Sequence, residues 1–112
     1  AQYEADRARD LYLNGEHGID EVMAEMELDA LLFPGSGGAG IAARPGYPTV
    51  MVPFGFTSND GGPEFPEGFE PGDRPFGVSF TGTACSEPRL LELAYAFEQA
   101  TTRRVAPPAG MP

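Results

Sequence analysis

The chain contains no lysine, a single cysteine, a single histidine and no apolar run long enough to span a bilayer. Each absence excludes something. Without lysine, and with a formal net charge of -10, the protein repels phosphate backbones and anionic membrane surfaces, which argues against a nucleic-acid role. A lone cysteine cannot close an internal disulfide, in keeping with a reducing compartment. The first residues, AQYEADRARD, are acidic and lack the apolar centre of a signal sequence. A soluble, cytoplasmic protein is the expectation.

Glycine and proline are abundant, at 15 and 12 of 112 residues. They raise the entropic cost of folding and divide the chain into short elements. A chain of this length fits one domain, 1–112, and is expected to bury only about 60–65% of its unfolded surface. That supports one modest core.

Hydrophobic spacing predicts a short helix over 4–13, with Ala8, Leu11 and Tyr12 on one face and Asn14-Gly15 ending it. A second helix fits 20–27, with Asp20 as cap, Ile19 as staple and Val22, Met23 and Met26 as the buried stripe. Residues 28–33 read as a strand covered on both faces and closed by Pro34. A glycine-rich connection follows over 35–46, with a helical turn near 39–43. Further strands are expected over 47–54 and 74–83. Between them, 56–74 is a long acidic loop rich in glycine and proline, in which Phe65 and Phe69 are available to pin it to the surface or to a partner. A final helix starts after Ser86 as N-cap, with Leu90, Leu93, Ala94, Phe97 and Ala100 facing a sheet and Arg103 and Arg104 at its negative end. Residues 105–112 form a proline-containing tail expected to be flexible.

Few residues carry recognisable chemistry. Gly35-Ser36-Gly37-Gly38-Ala39-Gly40 spells GxGxxG after a strand, but no long helix opens behind it and Arg44-Pro45-Gly46 follows at once. A phosphate loop would also need a lysine. Ser36 as nucleophile requires a base, and the one histidine, His17, lies in an acidic stretch suited to a solvated helix end. Cys85 precedes a helix, where a thiol gains reactivity; a small buried filler is the simpler reading. No metal-ligand spacing is present, and the carboxylates of 60–73 read as a solvated loop rather than a calcium loop. Arg44 and Arg74 flank strands, where each is either a surface charge or a carboxylate contact.

The order of segments LDALLFPGSGGAGIAARPGYPTVMVPFGF and RPFGVSFTGTACSEPRLLELAYAFEQATTRR resembles the last stretch of amidase-signature hydrolases. The resemblance covers 28–104, and Gly18-Ile19-Asp20 extends it upstream. It implies an α/β fold: a C-terminal piece of a large mixed sheet, with about three strands and flanking helices. It also implies amide hydrolysis in the whole enzyme, through a nucleophilic serine, a bridging serine and a lysine base in a glycine/serine-rich segment. That segment and the lysine are missing here, so no catalytic residue is carried over. Neither a cofactor nor a metal is implied. The stretch 36–47 is similar to one that shapes the substrate side of the pocket, which makes Ser36, Gly37, Gly38, Ala39 and Tyr47 the candidate pocket or interface residues. Where many relatives have an asparagine, this chain has Ala42, Ala43 and Arg44. The 56–74 loop is also longer than the usual turn.

The expectation is a pocket-shaping region of an amidase, inactive without its catalytic region, which would be its partner. A small amide would then be bound only by the complete enzyme. The alternative is a standalone non-catalytic module that self-associates or binds a partner or ligand. A small independent enzyme using Cys85 or Ser36 is a third reading.

Overall fold

Tyr47 packs against the helical N-terminal third at Gly15 and Asp20. The computed structural model describes residues 1–60, 64–107 and 109. Helix α1 (Gln2–Asp10) does not stop at Asn14-Gly15 but runs on as a π-helical segment (Leu11–Asp20) into α2 (Glu21–Glu25). The one departure from helical backbone is His17, at φ -97° and ψ 16°. Gly15 is tolerated because it is buried against the Tyr47 ring: a Cβ there would lie 3.0 Å from the Tyr47 hydroxyl oxygen. A tertiary contact thus overrides a local stop signal. Asp20 is not a cap either, since its backbone is helical (φ -63°, ψ -45°). Its carboxylate is committed to Tyr47 instead.

The apolar stripes expected on these helices are only partly covered. Ile19 is buried, but Leu11, Tyr12, Val22 and Met26 are exposed and Met23 is half-buried. Met26 is 66% exposed.

The sheet is antiparallel, in the order β1-β3-β2, from β1 (Leu31–Pro34), β2 (Thr49–Thr57) and β3 (Arg74–Thr81). Leu32 and Val50 both register with Phe80, and Met51 and Phe33 with Ser79. Because side chains alternate faces, Val50, Val52, Val78 and Phe80 share one side, while Met51, Ser79 and Thr81 share the other. A bulge between Pro53 and Gly55 shifts the register, and β2 runs on to Thr57, beyond the expected end at Phe54. β1 is shorter than 28–33 and alternates half-buried with exposed, so it is an edge strand rather than one covered on both faces.

Helix α4 (Glu87–Thr101) covers one side of the sheet. Leu90 and Ala94 are buried, and Phe97 meets Phe80 and Phe54 at centroid distances of 5.6 and 6.0 Å. Ala100, expected on this face, is exposed. Ser86 stands at the N-cap position, yet its hydroxyl bonds back to the Thr83 carbonyl at 2.7 Å rather than to a helical amide. Thr102, in the left-handed region at φ 48°, ends the helix, so Arg103 and Arg104 lie beyond it rather than in its last turn. Cys85 is exposed with φ 60°, not a buried filler. Phe65 and Phe69 stack on each other, centroids 5.3 Å apart, and both stay exposed. Part of the flexible tail expected over 105–112, and part of the acidic loop, lie outside the described residues.

The fold leaves much surface open. A monomer of 11.9 kDa is expected to expose about 6,000 Å² and to have a radius of gyration of about 13 Å. This chain exposes 8180 Å², with a radius of 17.8 Å. The difference, roughly 2,000 Å², is comparable with an entire protein–protein interface.

Candidate functional site

The loop between β1 and β2 is built from short turns. The Gly35 amide donates to the Gly77 carbonyl at 2.7 Å, and the Ser79 hydroxyl donates to the Gly35 carbonyl, so β3 anchors the loop's entry. Ala39 N–H bonds to Ser36 O at 3.0 Å, opening the helical turn α3 (Ala39–Ala43) that the sequence predicts. The Tyr47 amide then donates to Ala42 O at 2.8 Å and closes the loop. Gly38 is buried against the Phe33 ring; a Cβ there would lie 2.3 Å from a ring carbon.

The five candidate residues therefore divide. Ser36 is exposed and lines a hollow with Met51, Arg74 and Phe76. Gly37 bonds back to Pro34 O at 3.2 Å, and Gly38 and Ala39 hold the turn. Tyr47 points elsewhere: its hydroxyl donates to Asp20 Oδ2 at 2.6 Å. That hydrogen bond, reinforced by partial burial and the negative charges of Asp20 and Glu16, pushes the phenol up to about 12. Asp20 Oδ1 is buried and has no hydrogen-bond partner among the described residues. The Tyr47–Asp20 link was not foreseen, because a helix N-cap and a pocket tyrosine were read separately along the sequence.

The other singled-out residues have local partners. His17 faces Glu21 at 3.5 Å and packs on Tyr12, with ring centroids 4.3 Å apart; the hollow that Ser36 lines with Met51 and Arg74 does not include it. Arg44 pairs with Asp10 at 3.5 Å, while its carbonyl accepts from Arg7, so this turn is tied to α1. Arg89 bridges Asp29 and Glu92 at 3.2 and 3.1 Å. Its hydrogen bonds to Glu92 and then Asp29 raise its pKa. Among the described residues, no three or more His, Cys, Asp or Glu side chains converge as metal ligands, and no helix is long and apolar enough to cross a membrane.

A recess lies at the far end of the β2–β3 hairpin. It is a groove of about 420 Å³ between Met51, Pro53, Phe56 and Pro75 on the sheet and Arg103 and Arg104 beyond α4. Sequence reading missed it. The available signal was a pair of arginines after a helix in an acidic, lysine-free chain.

The three-stranded antiparallel sheet with its flanking helices is a mixed α/β unit consistent with part of an amidase-signature fold. The chain is homologous to a segment of enzymes of that family. It is 40% identical over 91 residues to a probable amidase of Arabidopsis thaliana, covering 81% of this chain and 15% of that protein. A putative amidase of Arthroderma benhamiae is 35% identical over 101 residues, 86% of this chain and 17% of its own length. The native peptide amidase of Stenotrophomonas maltophilia superposes with a TM-score of 0.74 at 36% identity, covering 94% of this chain and 21% of that enzyme. A structure of a peptide amidase with the competitive inhibitor chymostatin gives a TM-score of 0.72, also at 36% identity, covering 91% of this chain and 21% of that one. No family model matches the chain. It thus spans 15–17% of the length of the curated relatives.

Proposed function

We propose that this polypeptide is the C-terminal structural and pocket-shaping region of an amidase, and that it hydrolyses no amide without a catalytic region. The observation that carries this is the mismatch in coverage: 94% of the chain aligns with 21% of a peptide amidase. Two physical facts support it. The sequence offers no lysine to serve as base. The chain also leaves an interface-sized excess of surface open, with Tyr12, Met26 and Leu32 each more than half exposed. In this reading the loop of Ser36, Gly37, Gly38 and Ala39 borders the pocket, and Tyr47 fixes the loop's far end to the helix. The substrate, a small amide, is bound only by the completed enzyme.

Ammonia release from a peptide amide by the rigorously purified chain tests this. Release should equal that of buffer. Turnover that disappears in Ser36→Ala or Cys85→Ala would overturn the proposal and establish an independent enzyme. The unpaired outer edges of β1 and β2 favour a second reading, a non-catalytic module that self-associates. Light scattering separates the two: a stable homo-oligomer supports the second, and a monomer supports the first.

A further inference from the structure

The chain is strongly acidic, yet three of its seven arginines gather at one end of the sheet. Arg103 and Arg104 flank the groove at the end of the β2–β3 hairpin. Arg74 borders an adjoining hollow that shares Met51, Pro75 and Phe76 with it. Among the described residues, none of the three makes an ion pair, whereas Arg44 and Arg89 do. Arg103 lies 5.6 Å from the centre of the Phe54 ring, which restrains where its charge sits.

We propose that this groove binds the free α-carboxylate end of a short apolar peptide. Guanidinium groups match a carboxylate with paired N–H donors. The walls are prolines, methionine and phenylalanine, suited to apolar side chains, and the volume of about 420 Å³ falls within the range of small-ligand sites. A single negative charge is favoured over a phosphate dianion because the chain as a whole, at -10, repels each added charge at long range. β2 is the outer strand on this side of the sheet, so its free main-chain groups are available to an extended backbone. The proposal does not depend on the amidase reading, since binding is measured without turnover.

Calorimetric titration of the purified chain with N-acetyl-Leu-Phe, and in parallel with N-acetyl-Leu-Phe-amide, tests it. The probes differ only at the terminus, where a neutral amide group replaces the carboxylate. Saturable binding of the acid is expected, about tenfold tighter than the amide, and weakened by salt. Arg104→Gln and Arg74→Gln should each lower affinity for the acid several-fold and leave the amide unchanged. Absence of saturable binding, equal affinity for the two probes, or insensitivity to both substitutions would overturn the proposal. The acid-to-amide ratio is read on the unsubstituted chain, so it decides the matter even if a variant fails to fold.

Discussion

Replacing Tyr47 with phenylalanine removes one oxygen and isolates the link between the N-terminal helix and the sheet. The hydroxyl donates to Asp20 at 2.6 Å, and Asp20 Oδ1 already lacks a partner among the described residues, so Tyr47→Phe leaves both oxygens of that carboxylate without a partner among them. The phenol titrates at about 12 instead of its ordinary 10, which corresponds to about 2.7 kcal/mol if the whole shift reflected folding. Tyr47 is partly exposed and water competes for both groups, so about 1–1.5 kcal/mol is the expected loss. The sign follows from the raised pKa. The link stabilises fully below pH 10, where both states hold the proton. It is lost as pH rises from 10 to about 12, where only the folded state still holds it. Urea unfolding at pH 8 should show the loss, and the alkaline decline between pH 10 and 12 should be shallower in the variant. Hydrogen exchange should be fastest to change over Leu11–Glu25, the segment that the tyrosine holds. In a double-mutant cycle with Asp20→Ala, the coupling should be about 1 kcal/mol. A variant as stable as the parent, with the same alkaline decline and no coupling, would refute the reasoning.

Two further substitutions probe the packing. Leu90→Ala empties the centre of the contact between α4 and the sheet, where Leu90 is fully buried, and should cost about 3 kcal/mol in urea unfolding. Gly38→Ala drives a methyl group into the Phe33 ring and should cost about 1–3 kcal/mol, partly restored by adding Phe33→Leu. A smaller effect from Gly38→Ala alone would mean that the loop has room to move and does not hold Ser36 in place.

Legibility differed between elements for identifiable reasons. Helix α4 was readable because its spacing, N-terminal serine and proline, and apolar face all agree, and the sheet it needs lies in the same chain. The helical turn at Ala39–Ala43 was readable as well. The break at Asn14-Gly15 was misread, since the sequence gives the glycine's cost to a helix but not the tyrosine packed against it. The stripe of Val22 and Met26 was read as buried because its spacing is that of a buried face. The spacing was right, but nothing in these residues covers it. The arginine groove was invisible because β2, β3 and the segment after α4 are distant in sequence and meet only in the fold.

By itself the sequence determined the element types, the lysine-free acidic character and the likeness to amidases, because propensity, periodicity and charge are local or additive properties. Only the tertiary structure decided that the tyrosine and aspartate join, that the strands pair antiparallel in the order β1-β3-β2, and that Arg103 and Arg104 border one groove with Arg74 at the adjoining hollow. Those outcomes depend on which distant groups are brought into contact, and no local preference specifies that.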